Sequence, residues 1–504
     1  MTAPHPVLQP YDVLIIGSGM SGMVCAATLS REGMNVCLIE KNPVFGGCLQ
    51  SFRRHGVQID TGVHYVGALG EGQIMRQILH YNKVLPHLHL RQMDQNGFET
   101  LHMEGKTYLH PMGYERQQET FSQYFPQHKD EIRRLLDTLH TIGNKLSLEN
   151  FRQGIIDDND RTYMQLSAAG FLEQTISDPL LRDIYSSSAT IIAGEHDSTP
   201  LYHYAMVRHS NIIGAYRFED GSQHIANAYL QTIQSQGGTT LSNTPVTSIC
   251  VSNGLVTGVE TSSGEFLPAR NIISTLHPVE TFRLLEQTPL VRKAYLTRLK
   301  SLQNSSGLFS LYLLMKPNSF PYLNTVHFLF EDRKTWIRRP TGKTPELPTS
   351  LMLSTQAHHD SPYTRLVCLM KLMDYSELLP WEQTIVEHRG ESYLEFKHLH
   401  QEQMINQAEN YFPGLKKSIQ AVYTSTPLTY RDYIASPQGG AFGINTDSRF
   451  LLGTLISPRT RIPNLFLSGQ SLSLSGILGT SVTALLTCSN LIGEKYLAQK
   501  IANE

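Results

Sequence analysis

The amino-acid sequence predicts an α/β fold of two interleaved domains, and three observations support that prediction. An apolar strand, a glycine-rich turn, a helix and a second strand follow one another between residues 11 and 40. Apolar strand segments return near residues 239–275 and 464–469. A chain of 504 residues also exceeds one comfortable hydrophobic core. We therefore expect one domain assembled from separate parts of the chain, with a second domain built from the segments between them.

The opening unit has the pattern of a dinucleotide-binding site. The β-branched run Val13–Ile16 suits a buried parallel strand, and the turn Gly17–Gly22 after it matches G-x-G-x-x-G. A helix is expected from Met23 to Arg31, and a second strand, Val36–Ile39, ends at Glu40, where a ribose-binding carboxylate is expected. The pattern predicts a Rossmann-type fold in which the cofactor contacts Gly17, Gly19, Met20, Ser21, Gly22 and Glu40.

The residues after Glu40 favour FAD over NAD. Lys41 begins a short turn, and Gly46 and Gly47 then offer a second place where the backbone can approach a cofactor closely. We include all three among the cofactor contacts. Only one convincing dinucleotide fingerprint is found, so the sequence does not support stable NADPH binding, and the electron donor is left open between a reductase, a diffusible carrier and a visiting nicotinamide.

Composition excludes several classes of protein. The net charge is −2 without long runs of one sign, which argues against nucleic-acid binding. Six cysteines without a C-x-x-C pair fit neither a disulfide framework nor a zinc site, so we expect no metal and a reducing compartment. No signal peptide is expected at the N-terminus, which indicates the cytoplasm. The uncharged stretches 13–30 and 462–493 are interrupted by polar residues and glycines, and no membrane span is predicted.

Further strands and helices are expected along the chain. A hairpin is predicted over residues 244–260, with its turn at Asn253-Gly254, and residues 70–209 are expected to be helical with few strands. Apolar strands are predicted at Gly307–Met315 and Leu366–Leu372, and a helix from Gly476 to Ile492. The expected cofactor domain comprises residues 1–75, 210–285 and 435–504, and the expected substrate domain residues 76–209 and 286–434.

Several motifs together resemble one protein family. They are Gly17–Gly22, Glu40, Gly46–Cys48, Asp60–Gly67, Thr426–Thr429, Gly439–Gly443, Asn464–Gln470 and Gly476–Gly479. Over nearly the whole chain they resemble the flavin-dependent family of phytoene desaturases, carotenoid cis-trans isomerases and all-trans-retinol saturases. Cys48 stands where many carotenoid desaturases have arginine, and Gln470 where many flavoenzymes have a ribityl-binding aspartate. Both are similar to the retinol saturase pattern, as is the segment 60–67.

The resemblance implies a fold like that of glutathione reductase and the amine oxidases, with FAD as the cofactor. It adds Val246, where the backbone would meet the adenine, and Cys48, for which we expect a spatial role and not a redox role. A helix starting at Gly476 would favour the negative charge of the reduced flavin, although close helix packing is another use for its glycines. The contacts expected in the last segment are Gly469, Gln470, Gly476, Leu478, Gly479 and Thr480.

His64 lies in the segment that resembles the flavin-facing part of the family. A histidine there is a candidate to donate a proton to the carbon opposite hydride delivery. Because histidines in apolar surroundings are more often structural, both roles are kept for His64.

The resemblance implies an oxidoreductase that acts on a carbon-carbon double bond of a long apolar polyene or isoprenoid lipid, most like a saturase. A desaturase or a cis-trans isomerase would use the same flavin site, and a lipid-binding flavoprotein without redox activity is the alternative of another class. An amine oxidase is disfavoured, since no compact aromatic pair precedes Gln470.

Peripheral membrane contact is expected through 290–302 or 328–343, where basic and apolar residues mix, although ordinary surface elements would have the same composition. The sequence does not fix the oligomeric state.

Overall fold

The structure, a computed structural model, describes residues 9–145, 158–356, 361–472 and 474–503. Two seven-stranded sheets form its framework, and two two-stranded ribbons lie beside them. Within the described part of the chain, no helix combines the length and the apolar character needed to cross a membrane.

The first sheet is built around the predicted opening unit. Its central strands run parallel, whereas a hairpin at one end is antiparallel. The order is β10-β11-β12-β1-β2-β9, and β18 pairs with β12. The strands are β1 (Tyr11–Ile16), β2 (Val36–Ile39), β9 (Thr239–Leu241), β10 (Val246–Ser252), β11 (Leu255–Thr261), β12 (Phe266–Ser274) and β18 (Leu465–Leu467).

The second sheet is antiparallel except where β14 pairs with β6 in parallel. Its order is β17-β13-β16-β15-β14-β6-β7, and the ribbons are β3 with β4 and β5 with β8. The strands are β3 (Ser51–Arg54), β4 (Val57–Asp60), β5 (Leu90–Gln92), β6 (Glu99–Met103), β7 (Lys106–His110), β8 (Tyr216–Phe218), β13 (Gly307–Met315), β14 (Val326–Leu329), β15 (Leu351–Thr355), β16 (Leu366–Met373) and β17 (Ile419–Ser425).

The α-helices cover the faces of the two sheets. They are α1 (Met20–Arg31), α2 (Ile74–Tyr81), α3 (Tyr114–Tyr124), α4 (Lys129–Gly143), α5 (Asp158–Gln165), α6 (Ala168–Thr175), α7 (Pro179–Ser186), α8 (Leu201–Ile213), α9 (Ser222–Ser235), α10 (Pro278–Leu284), α11 (Lys293–Ser301), α12 (Glu391–Tyr411), α13 (Leu415–Ser418), α14 (Pro427–Ile434), α15 (Leu451–Thr454), α16 (Gly476–Ile492) and α17 (Glu494–Ala502). Helices α1, α9 and α16 share one core with β1 and β2, in which Val24, Ala27 and Ala484 are fully buried.

Many predicted elements are confirmed, and the α/β class with them. The strands β1, β2, β13 and β16, the hairpin of β10 and β11, and helix α16 all lie where the sequence places them. Helix α1 begins at Met20 rather than Met23, so the glycine-rich turn leads directly into the helix. The bounds of the two domains stay a prediction.

Residues 70–209 are mainly helical with few strands, as expected, but one hairpin there was not predicted. Strands β6 and β7 form a hairpin there, and β6 joins the second sheet by pairing with β14. Their turn, Glu104-Gly105, has positive φ at both residues, the geometry of the tight turns that connect hairpin strands. A Glu-Gly turn is a weaker sequence signal than Asn-Gly, which is why the pattern indicated helix.

The structure also contradicts one of the two expected membrane segments. In the segment 328–343, the side chains of Phe328, Trp336 and Ile337 are buried in the protein. Phe328 packs in the interior because β14 is an inner strand of the second sheet, and Trp336 belongs to the same buried cluster. Ile337 forms a bridge with Glu195. Residues 328–343 therefore do not present an apolar face to a lipid surface.

Candidate functional site

The parallel strands of the first sheet bring four chain segments to one edge. Strands β1, β2, β12 and β18 end at Ile16, Ile39, Ser274 and Leu467, and each pairs with its neighbour in parallel. Their carboxyl ends therefore meet, at the edge where open α/β sheets bind ligands. The residues that follow these ends form the candidate site.

The three glycines of the first turn have three different surroundings. Gly17 has a φ of +97°, and a Cβ atom there would lie 2.6 Å from the Thr275 Oγ1 atom. A Cβ atom on Gly22 would lie 2.0 Å from the Gly17 carbonyl oxygen, because the helix packs closely on the turn. At Gly19 a Cβ atom would meet nothing within 4 Å. Gly17 and Gly22 are thus needed by the fold, whereas Gly19 leaves space free for a ligand.

Helix α1 starts at this turn without a side-chain cap on its first backbone N–H groups. Such unpaired N–H groups and the positive end of the helix dipole favour an anion. A Cβ atom on Gly47, whose φ is +56°, would lie 3.0 Å from the Gly19 Cα atom. The second glycine pair therefore packs directly on the first turn.

Glu40 is held in place at the end of β2. Its Oε2 atom accepts hydrogen bonds from the Ser18 backbone N–H at 3.1 Å and from the Ser18 hydroxyl at 2.6 Å. Its Oε1 atom accepts a bond from the Asn42 backbone N–H at 2.9 Å. The carboxylate is only 6% exposed, so its orientation is fixed before any ligand arrives.

The C-terminal segment closes the site from the other side. The Ser468 hydroxyl is 2.6 Å from the Ser21 hydroxyl and links the end of β18 to the start of α1. A Cβ atom on Gly479 would lie 2.6 Å from the Leu474 Cβ atom, whereas one on Gly476 would meet nothing within 4 Å. Gly479 thus allows close packing, and Gly476 leaves the start of α16 open.

A cavity of about 520 Å³ runs through this site. Most of the expected cofactor contacts lie in its wall: Gly17, Gly19, Met20, Ser21, Glu40, Lys41, Gly46, Gly47, Cys48, Val246, Gly469, Gln470, Gly476 and Thr480. Gly22 lies behind the first turn, and His64, Leu478 and Gly479 line a neighbouring cavity. Burial raises the pKa of the Cys48 thiol to about 11, which leaves it protonated at neutral pH.

The neighbouring cavity has a volume of about 240 Å³ and a mostly apolar wall. Met206, Phe328, Met352 and Met370 contribute to this wall. Both cavities share Gly62, Tyr65, Leu308, Phe442, Gly476 and Ile477, so the two spaces adjoin. A cofactor in the larger cavity would meet an apolar molecule in the smaller one at these residues.

His64 lies in the wall of the apolar cavity. Its ring forms no hydrogen bond within the described part of the chain. Burial, assisted by the positive charge of Arg217, lowers the pKa of His64 to about 4. The imidazole is therefore neutral at pH 7, and its role as a proton donor stays a prediction.

No sequence pattern indicated the buried network behind Tyr65. The Tyr65 hydroxyl donates a hydrogen bond of 2.8 Å to Glu99 Oε1, and Arg208 Nη1 donates one of 2.5 Å to Glu99 Oε2. Arg208 Nη2 also lies 3.0 Å from His110 Nδ1. Glu99 lies on β6 and Arg208 on α8, and no local pattern links residues so far apart. The network fixes Tyr65 where the two cavities adjoin.

Comparison with known proteins places this geometry in context. Residues 15–81 match the family model of the NAD(P)-binding Rossmann-like domain. The chain is 25% identical to an all-trans-retinol 13,14-reductase from Macaca fascicularis over 97% of this chain and 87% of that protein. It is 25% identical to prolycopene isomerase 2 from an Oncidium hybrid cultivar over 86% of this chain and 75% of that one.

The chain is a homologue of the retinol 13,14-reductases and prolycopene isomerases. This confirms the resemblance found in the sequence and the prediction that the chain is an oxidoreductase. Among solved structures, putrescine oxidase bound to putrescine has a TM-score of 0.65 at 15% identity and covers 98% of this chain and 99% of that one. The likeness confirms the expected fold, and the Rossmann-like match indicates a dinucleotide cofactor in general.

Among the described residues, no group of three histidine, cysteine, aspartate or glutamate side chains is placed to hold a metal ion. The six cysteines are all free.

Proposed function

We propose that this protein is an FAD-dependent oxidoreductase that reduces a carbon-carbon double bond of a long apolar polyene or isoprenoid lipid. The observation that supports this most directly is the junction of the two cavities at Tyr65, Leu308 and Gly476. One cavity has the glycine turn and the carboxylate suited to a dinucleotide, and the other has an apolar wall. A redox cofactor and an oily substrate would meet there.

The residues present fit FAD. The open space at Gly19 and the unpaired N–H groups of α1 suit the pyrophosphate, and Glu40 suits the ribose hydroxyls. Val246, in the wall of the same cavity, would lie near the adenine. Bound there, FAD supplies hydride chemistry, and the start of α16 at Gly476 would favour the negative charge of its reduced ring.

The chain's own residues orient the substrate and exclude water. Phe328, Met352 and Met370 offer flexible and aromatic surfaces to a polyene. Tyr65, fixed by Glu99, forms part of the wall beside the reacting double bond. The electron donor is external under this proposal, and the oligomeric state is left open.

A cis-trans isomerase is the second candidate, because prolycopene isomerases are among the homologues. It would use the same two cavities with no net transfer of electrons. A desaturase would use them in the oxidative direction. Relative to the substrate, the product of a reductase gains the mass of two hydrogens, that of an isomerase keeps the same mass, and that of a desaturase loses two hydrogens.

The test is a single anaerobic reaction. The purified protein is loaded with FAD, reduced by light, and mixed with all-trans-retinol or with a poly-cis carotene. We expect the flavin absorbance to return and the product to gain two hydrogens. The control is the oxidised holoprotein mixed with the same polyene, in which the mass of the polyene should stay unchanged.

Two results would decide against the proposal. A folded protein that does not bind FAD in a titration contradicts the cofactor assignment. Reduced flavin that is not reoxidised by any polyene contradicts the substrate assignment and favours the lipid-binding flavoprotein without redox activity.

We also propose that the protein acts in the cytoplasm and touches a lipid surface. On the short helix α15 and just before it, Leu452 is 88% and Phe450 65% exposed. Arg298, in the expected membrane segment 290–302, donates a hydrogen bond of 2.8 Å to the Gly453 carbonyl oxygen. Exposed apolar side chains beside basic residues suit docking on anionic lipid.

A further inference from the structure

A third cavity, of about 30 Å³, adjoins His64. Its wall is formed by residues from four different parts of the chain. Asp60 ends β4, Arg217 lies on β8, Gln356 follows β15 and Cys368 lies on β16, and all four residues line it with His64. A volume of this size holds one or two water molecules. His64 therefore contributes to the wall of both the apolar cavity and this small polar one.

The walls of the small cavity contain polar atoms that lack partners. His64 Nε2, Arg217 Nε and Gln356 Oε1 are buried and form no hydrogen bond with any residue that the structure describes. Arginine Nε–H is a donor, the amide oxygen is an acceptor, and an imidazole nitrogen is either one. Buried polar groups of this kind are usually satisfied by ordered water. Three such atoms around one water-sized space make a built water site.

Asp60 gives this site a group that exchanges a proton near neutral pH. Its carboxyl is 7% exposed and accepts bonds from the Ser222 backbone N–H at 3.1 Å and from Gln356 Nε2 at 3.3 Å. Burial raises the pKa of Asp60 to about 6. Near pH 6 the carboxyl is therefore present both with and without its proton.

Arg217 opposes a positive charge on His64. It is 3% exposed, and its guanidinium donates to the carbonyl oxygens of Thr355 and Thr325. It forms no ion pair with a carboxylate of the described residues. Its charge opposes a second positive charge on His64. His64 is thus suited to pass a proton on rather than to store it.

We propose that the small cavity holds a water molecule that passes a proton from Asp60 to His64, and that Asp60 is the proton store for protonation of the substrate. The proposal rests on the proposed function and adds Asp60 as a positioning residue that acts through His64. Bound FAD would supply the hydride for one alkene carbon, and one ring nitrogen of His64 gives its proton to the other carbon. The other ring nitrogen takes a proton from the water, the water takes one from Asp60, and Asp60 is left as a carboxylate.

The other titratable groups around the cavity do not compete for this role. Burial raises the pKa of the Cys368 thiol well above its ordinary value, so the thiol keeps its proton. The pKa of Tyr65, next to His64, is also raised far above its ordinary value by burial and by Glu99. Arg217 stays charged. Asp60 is therefore the group facing the cavity whose proton is exchanged between pH 5 and 7.

The main test compares Asp60→Asn with the wild-type holoprotein. Asparagine can still accept the bond from Ser222, so the fold should be retained, but it has no proton to give. We expect the rate of flavin reoxidation by the polyene to fall about 100-fold. In the wild type this rate should decline as pH rises above about 6, and in Asp60→Asn this decline should be absent. Asp60→Glu should restore part of this decline with pH.

Asp220→Asn is the matched control, because Asp220 lies two residues before Ser222, whose backbone N–H bonds to Asp60, but its own carboxylate pairs with His89 at the surface. It should leave rate and pH profile unchanged. An Asp60→Asn variant with the wild-type rate and pH profile overturns the proposal.

A readout independent of turnover is NMR of protein labelled with 15N-histidine, with the His64 signal assigned through His64→Gln. The His64 shift should follow an ionisation near pH 6 in the wild type and lose it in Asp60→Asn. If the His64 chemical shift has the same pH dependence in the wild type and in Asp60→Asn, the proposed proton transfer through water is overturned, even if the protein reduces polyenes. Conversely, a wild type that does not react with polyenes but shows this coupled titration contradicts the proposed function and not the link.

Discussion

Ser18 and Glu40 are joined by two hydrogen bonds to one oxygen, from the backbone N–H at 3.1 Å and from the hydroxyl at 2.6 Å. The Ser18 hydroxyl also accepts a bond of 3.1 Å from the Gly46 backbone N–H. Three parts of the cofactor site, the first turn, the carboxylate and the second glycine pair, are therefore connected through one serine. This coupling makes Glu40 both a candidate ligand contact and a support for the turn.

Replacing Glu40 should weaken FAD binding. Glu40→Ala removes a buried acceptor from Ser18 and the expected partner of the ribose, and hydrogen bonds to charged groups contribute about 1.5 to 3 kcal/mol. We expect the dissociation constant for FAD to rise about tenfold or more, measured by quenching of flavin fluorescence. Glu40→Gln keeps an acceptor without the charge, so its dissociation constant for FAD should lie between those of the wild type and Glu40→Ala. Unchanged affinity in Glu40→Ala would show that the ribose lies elsewhere.

The first and last glycines of the turn should respond differently from the middle one. Gly22→Ala places a Cβ atom against the Gly17 carbonyl, so the free energy of unfolding should fall by about 1 to 3 kcal/mol or more. In Gly19→Ala the new Cβ atom has none of the described residues outside its own turn within 4 Å, so stability should be nearly unchanged while FAD affinity falls. Urea unfolding of the cofactor-free protein and FAD titration separate the two effects. Equal loss of stability in both variants would contradict the described turn.

Acid should destabilise the protein through its buried histidines. Burial lowers the pKa of His203 to about 4 and that of His327 to about 3, whereas both have ordinary values near 6.5 in the unfolded chain. Between pH 6.5 and 4 the unfolded state therefore binds more protons, and stability falls as pH falls. Each such histidine contributes up to about 1.4 kcal/mol per pH unit.

The measurement is the urea midpoint at pH 7 and at pH 5. His327→Asn, whose amide can still bond to His102 Nε2, should show a smaller loss between these pH values than the wild type. A variant with the same or a larger loss would contradict the assigned direction for His327.

Lipid binding should depend on the exposed tip at Phe450 and Leu452. The double variant Phe450→Ser with Leu452→Ser removes the two apolar side chains without touching a core, so we expect several-fold less protein to pellet with anionic vesicles. Leu255→Ser, an exposed apolar residue on β11, is the matched control and should pellet as the wild type does. Equal pelleting of the double variant would locate the contact elsewhere.

Part of this molecule could be predicted because its signals are local. The turn Gly17–Gly22, strand β2 and Glu40 lie within thirty residues, and their spacing alone indicates a parallel sheet edge with a dinucleotide cradle. The hairpin β6–β7 was missed, because its Glu104-Gly105 turn is a weak signal and its pairing with β14 links distant residues. The prediction that residues 328–343 contact a membrane was wrong for a similar reason, because composition does not reveal that β14 is an inner strand.

The sequence by itself determined the α/β class, the order of the opening strands and helix, and the glycines and the carboxylate in the wall of the larger cavity, because backbone periodicity and glycine geometry act over short distances. Only the tertiary structure decided that Tyr65 is bonded to Glu99, that the apolar cavity opens beside Gly476, and that Asp60, Arg217 and Gln356 surround one small space next to His64. These residues come from different strands and helices, and packing in three dimensions, which leaves no trace in local spacing, brings them together.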